Sequence, residues 1–106
     1  SAAVDAIPPL DLTLIILSAT DGQLNWTPDP TNCGYQVHRH TAPYFNPTTS
    51  TRLSPPLTNS TNSYLLTGDI SDGLNYFYYL EALACGGQDA FSQELGLFHY
   101  TITLGN

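Results

Sequence analysis

The side chains best suited to chemistry are three histidines, two clustered aspartates and a row of aromatic rings. His38 and His40 stand two residues apart, so on an extended strand both imidazoles share one face, with His99 as a distant third ligand. Zinc or copper accepts such nitrogens. Nothing acidic or thiolate lies close in sequence to complete a shell, and paired strand histidines are usually surface residues, so no metal is expected. Asp69 and Asp72, in Asp69-Ile-Ser-Asp72-Gly73, offer oxygens to calcium but lack the regular acid spacing of a calcium loop. Side-chain-to-backbone turns leading into a strand explain the pair equally well. The nine acids form no paired arrangement, and there is neither a Gly-x-Ser-x-Gly elbow nor a Cys-x-x-Cys motif. Neither enzymatic activity nor a cofactor is expected.

The aromatic residues leave a different question. Asn75 to Ala82 reads NYFYYLEA, four rings in succession followed by a lone acid. On a strand Tyr76, Tyr78, Leu80, Ala82 and Ala84 share one face, and Phe77, Tyr79, Glu81 and Leu83 the other. The first set ends in small residues and reads as core; the second carries the acid and reads as a solvent or partner face. With Tyr44 and Phe45, the rings of Phe77 and Tyr79 form a candidate contact surface able to stack on sugar rings or on a protein.

Composition narrows the partners. The chain has 106 residues, 42% hydrophobic, enough for one domain with its own core. Only 10% are charged, against about 25% in ordinary domains. There is no lysine, the cations are Arg39 and Arg52, and the formal charge is -7. Such a chain repels phosphate backbones and anionic lipid, so neither nucleic acid nor a membrane surface is an expected partner. Its longest apolar run, residues 14–17, is strand-sized, far short of the roughly 18 residues of a membrane span. The small-residue start Ser1-Ala2-Ala3 without methionine reads as an end left by signal-peptide cleavage. Cys33 and Cys85 form an even pair in an exported chain, so a disulfide is expected, closing a loop that the chain-entropy view values at about 4 kcal/mol. The expected location is secreted or at the cell surface. Asn25-Trp-Thr27 and Asn59-Ser-Thr61 are glycosylation sequons, Asn59 lying in the more exposed Ser/Thr-rich stretch.

Turn signals recur about every ten residues, at Asp21-Gly22, Pro28-Asp29-Pro30, Asn46-Pro47, Pro55-Pro56, Asp72-Gly73 and Gly86-Gly87. The short Thr-, Tyr- and Val-rich runs between them predict an all-β antiparallel sandwich or barrel. Seven strands are expected: residues 10–18, 23–27, 35–41, a weak fourth at 48–53, 63–67, 75–85 and a long seventh at 92–104.

Leu24-x-Trp26, Tyr35-x-Val37, and Tyr76 followed by Leu80 and Ala82 resemble the fibronectin type III module. Gly34-Tyr-Gln-Val-His-Arg, Ala42-Pro-Tyr-Phe and Leu95-Gly-Leu-Phe are similar to the modules of bacterial secreted and surface proteins. The resemblance covers residues 10–104 and implies a seven-stranded antiparallel immunoglobulin-like sandwich. It also implies that Trp26 packs in the core and that Tyr76 forms a corner, its hydroxyl bonding nearby backbone. Tyr35, Val37, Tyr78 and Leu80 complete the expected core. Modules of this type usually lack disulfides, making Cys33–Cys85 a local addition.

The domain plan is therefore a sandwich over residues 10–106 preceded by an extension, residues 1–9. Ala3, Val4, Ile7, Pro8 and Pro9 carry too little apolar surface to pack well alone and are expected to meet a partner. The expected work is assembly: a non-catalytic subunit joining copies of itself, or other surface proteins, into a filament or surface layer through strand edges. The alternative is an adhesion or glycan-binding module belonging to a larger secreted protein.

Overall fold

The computed structural model describes residues 3–99. The strands are β1 (Thr13–Ile16), β2 (Gly22–Asn25), β3 (Gly34–His40), β4 (Ser63–Leu66), β5 (Tyr76–Leu83), β6 (Ala90–Phe91) and β7 (Leu95–Leu97). They form two antiparallel sheets, β1-β2-β4 and β3-β5-β6, with β7 continuing β6 along the same edge of β5. In the longest ladder Gly34 lies opposite Leu83 and His40 opposite Phe77. Where β6 gives way to β7, buried Ser92 keeps β5 paired. Its N–H donates to the Leu80 carbonyl at 2.9 Å, and its Oγ accepts the Leu80 N–H at 2.9 Å.

Two expected strands differ. Residues 48–53 form no strand; Thr49–Thr51 is a 3-10 turn capped by Thr48, with the Thr51 hydroxyl accepting the Thr48 N–H at 2.9 Å. Threonine hydroxyls offer the backbone local partners that compete with a sheet ladder, and Pro55 and Pro56 have no N–H to give one. In place of a ladder, isolated bridges pair Arg52 with His38 and, further on, Leu57 with Tyr35 of β3. Of the long seventh strand expected over 92–104, only β7 falls within the described residues, the short β6 precedes it, and its portion beyond residue 99 lies outside the described residues.

Trp26, Tyr35, Val37, Tyr76, Tyr78 and Leu80 are all buried between the sheets, with Leu24, Leu66, Ala82 and Leu97. The phenols among them need partners. The Tyr35 hydroxyl accepts from the Asp29 N–H at 2.7 Å and from the Asn32 amide at 3.2 Å. The Tyr78 hydroxyl donates to Asp69 Oδ2 at 2.6 Å, while Arg39 Nη1 donates to Asp69 Oδ1 at 2.6 Å. Burial, with the Asp69 carboxylate beside it, pushes the Tyr78 phenol far above its ordinary range. The Arg39 guanidinium also lies 4.4 Å from the centre of the Tyr76 ring. The corner differs from expectation: the Tyr76 hydroxyl donates to the Asp72 carboxylate and not to backbone. Asp72 is brought there by its own turn, accepting the Leu74 N–H at 3.0 Å. Both aspartates considered for calcium thus brace the core.

Cys33 and Cys85 are bonded, with 5.2 Å between their Cα atoms, linking the chain just before β3 to the chain just after β5. On this corner rests the N-terminal segment. Val4 bridges to Cys85 and Gly86, the Ala6 N–H donates to the Gln88 carbonyl at 2.8 Å, and Gly87 N–H donates to the Val4 carbonyl at 3.1 Å. Asn32 exchanges both hydrogen bonds with the Ile7 backbone, at 2.8 and 2.9 Å. A Cβ on Gly87 would stand 2.4 Å from the Val4 carbonyl oxygen, so glycine is what permits the approach. Hydrogen bonds hold residues 3–9 where apolar content is too low; Ala6 and Pro9 are buried, while Ala3, Val4 and Ile7 remain exposed and Pro8 is half-buried.

The Asp69 cluster dictates a stability test. Asp69→Ala strands the Tyr78 hydroxyl and the Arg39 guanidinium together, and is expected to cost about 3 kcal/mol. Asp69→Asn retains an acceptor for one of them and should cost less; urea unfolding of the three proteins measures both.

Candidate functional site

The outward face of β5 is covered by its own chain, not by solvent. Phe77 is buried, its ring edge-on to Phe98 at 5.4 Å. Phe98 lies over Gly96, where a Cβ would approach the ring to 2.5 Å; this glycine leaves room for an aromatic ring to take its place. Tyr79 is clasped between Phe45 at 5.0 Å and Phe91 at 6.3 Å. Phe45 is itself buried and stacks on His40 at 5.4 Å. The expected surface of Tyr44, Phe45, Phe77 and Tyr79 therefore reduces to Tyr44, which is 86% exposed. The other three are consumed in a second, smaller core because loops distant in sequence fold back over β5.

Tyr44 adopts a left-handed backbone with φ of 54°, a conformation costing about 1–2 kcal/mol for a residue with a Cβ. Glu94 holds it there, its two carboxylate oxygens accepting the Tyr44 N–H at 3.0 and 2.8 Å. Between Tyr44 and Phe98 opens a cleft of about 410 Å³, lined also by Pro43, Phe77, Glu94 and Gly96. Burial, followed by the Glu94 charge, raises the Tyr79 phenol above its ordinary value.

The histidines do not converge. His38 is buried, with Nδ1 2.8 Å from Thr51 Oγ1 and Nε2 2.8 Å from Glu81 Oε1. His40 is exposed, its Nδ1 accepting the Ala42 N–H at 2.9 Å. The His99 N–H donates to Asn75 Oδ1 at 2.5 Å. Among the described residues no three His, Cys, Asp or Glu side chains are arranged to hold a metal ion. The Thr51–His38–Glu81 series has the order of an activated hydroxyl and its base. Thr51 Oγ1, however, already accepts the Thr48 N–H and donates to the Thr48 carbonyl at 3.0 Å, so the series works as a brace.

On the opposite sheet β1 forms an edge among the described residues. Ile15, Ile16 and Leu17 are 44%, 64% and 49% exposed. The Leu17 N–H donates to the Asp21 carbonyl at 3.0 Å, so by alternation Thr13 and Ile15 also face β2 with their backbone groups. Leu14 and Ile16 consequently turn their N–H and C=O groups outward. On the sheet's outer surface Ile15, Gln23 and Leu65 lie in one row, and Thr13, Asn25 and Ser63 in the next, with no charge among them. Asn25 is half-buried and accepts from Gln23 Nε2 at 2.7 Å, while Asn59 is exposed.

No known family model matches the chain, and no curated protein sequence matches it. Solved structures do. An Fn3-like protein from Clostridium thermocellum superposes with a TM-score of 0.69 at 20% identity, over 93% of this chain and 98% of that one. An fn3 domain of human contactin 1 gives 0.68 at 17% identity, over 99% and 88%. The fold is fibronectin type III-like. Pectate lyase PelI from Erwinia chrysanthemi, in complex with tetragalacturonic acid, gives 0.65 at 20% identity over 85% of this chain but only 28% of its own. The neighbours are mostly fibronectin type III domains.

Within the type III-like frame, sequence reasoning missed Glu94, Phe91, Phe98, Asp89 and the burial of Glu81. A usable signal lay in the acid itself: Glu81 alternates with Phe77 and Tyr79, and its pairing across from β3 brings His38 within reach. Burial, then a hydrogen bond to Asp89, raises the Glu81 carboxyl, with His38 opposing; the same hydrogen bond lowers Asp89.

A raised folded-state pKa means that Glu81 favours the fold fully below its unfolded value and loses that contribution as pH rises through the folded one. Relative to Glu81→Gln, the native chain is expected to be most stable at acidic pH and to lose ground toward neutrality. Urea midpoints of both proteins across pH 4 to 8 check it; parallel curves would show that Glu81 does not titrate as described.

Proposed function

We propose that this type III-like domain is a non-catalytic extracellular subunit that assembles with copies of itself by strand addition at β1, giving a filament or surface layer. The observation carrying this reading is the edge from Leu14 to Leu17: four aliphatic residues, two backbone positions directed outward, and no charged side chain from residue 12 to 20. Natural sheet edges are normally blunted by lysine, proline or bulges, because an exposed apolar edge recruits another strand. A β1 edge receiving an extended segment from a neighbouring copy is a head-to-tail contact, and such contacts propagate when they do not close. The half-exposed Val4 and Ile7 of the N-terminal segment add apolar surface for the same purpose. The disulfide supports an oxidising, extracellular setting, in which Asn59 is the accessible glycosylation candidate.

The second reading, a binding module for adhesion or for glycans, is favoured by the cleft beside the exposed Tyr44. Acidic sugar chains, such as the one in the pectate lyase complex, are poor candidates here: the chain carries a formal charge of -7, and Glu94 lines the cleft.

Light scattering and electron microscopy of the full chain distinguish the readings. The native protein is expected to form concentration-dependent oligomers or fibres, and Ile16→Lys, at an exposed position, to remain monomeric with unchanged unfolding. A native protein that stays a monodisperse monomer overturns assembly; an Ile16→Lys variant that assembles normally removes β1 from the contact.

A further inference from the structure

The cleft between Tyr44 and Phe98 has chemistry that the assembly reading does not use. It lies on the outer face of the four-stranded sheet, away from β1. Phe77 forms its floor and Tyr44 and Phe98 its walls; among the described residues Glu94 is its only charged side chain, and no lysine, arginine, asparagine or glutamine lines it. Neutral sugar recognition calls for polar donors as well as acceptors around the hydroxyls, and among the described residues no lining side chain beyond the Tyr44 phenol donates. A cation calls for something else, ring faces bearing negative charge density together with an anion. Both are present. Glu94 is positioned by the Tyr44 N–H, which occupies only part of its acceptor capacity. The size, about 410 Å³, suits a small organic head group. The acidic balance of the whole chain attracts cations toward it. Neither Arg39 nor Arg52 lines the cleft, and Arg39 is already engaged by Asp69 and the Tyr76 ring.

We propose that this cleft binds an organic cation, an alkylammonium or guanidinium head enclosed by Tyr44, Phe77 and Phe98 and paired with Glu94. The rings supply attraction that survives partial loss of the cation's water shell, and the carboxylate supplies the opposite charge. No bond is made or broken.

The probe is tetramethylammonium chloride, titrated into the isotopically labelled full chain at constant ionic strength, with tert-butanol as a neutral counterpart of the same shape. Ring signals of Tyr44 and Phe98 and the Gly96 amide report on the cleft. Tetramethylammonium is expected to shift them and to bind about tenfold more tightly than tert-butanol. Tyr44→Ala, at a highly exposed position, and Glu94→Gln, which retains an acceptor for the Tyr44 N–H, are each expected to weaken it roughly threefold to thirtyfold. Equal binding of the two probes, no shift at millimolar cation, or undiminished binding by Glu94→Gln in a folded variant overturns the proposal. A shift produced by cellobiose and not by the cation would also overturn it, making the cleft a sugar site.

Discussion

Seven antiparallel residue pairs, from Gly34 opposite Leu83 to His40 opposite Phe77, set β3 against β5, and every other layer takes its position from that ladder. Because side chains alternate across a strand, this one pairing delivers Tyr76, Tyr78, Leu80 and Ala82 to the space between the sheets. It delivers Phe77, Tyr79 and Glu81 to the opposite side. The disulfide closes one end of the ladder, and the N-terminal segment hydrogen-bonds to the turn just beyond it. The other end carries the Tyr44 loop and β7, which together build the cleft.

Few charges are present, and several of them are engaged in bracing. Asp69 joins Arg39 to Tyr78, and Asp72 receives Tyr76. Glu81 meets His38, and Glu94 secures the left-handed Tyr44. Asp11 accepts both the N–H and the hydroxyl of Thr27, whose hydroxyl bond is the main cause of its lowered pKa. Asp69 and Glu81 are buried in doing so and add no charge to the surface. At β1 no lysine or glutamate interrupts the apolar edge.

The two surfaces left with unspent chemistry differ in kind. At β1 the available groups are backbone amides and carbonyls flanked by aliphatic side chains, the kind of surface that strand addition uses. At the cleft they are ring faces and one carboxylate, which select for charge. They lie on different sheets, so occupation of one leaves the other open.

Turn spacing pointed to an antiparallel sandwich or barrel and alternation to the inner face of β5, because a period of two is a local property of the chain; the choice of a sandwich and the buried roles of Trp26, Tyr35 and Val37 came from the resemblance to the type III module. The pairing of Cys33 with Cys85 followed from their number and the expectation of export. Four matters were decided only by the tertiary structure. Threonine hydroxyls at Thr48 and Thr51 turned an expected strand into a 3-10 turn, a competition between local and ladder hydrogen bonds that strand propensity does not rank. Asp72, not backbone, received the Tyr76 hydroxyl. Val4, Asp5 and Ala6 found their hydrogen bonds on the Cys85–Gln88 turn, more than seventy positions away in sequence, and Ile7 found its own on Asn32. The outer rings of Phe77 and Tyr79 were covered by Phe45, Phe91 and Phe98. Period tells which way a side chain points; what comes to meet it depends on contacts between segments far apart in the chain, and those exist only once the sheets have closed.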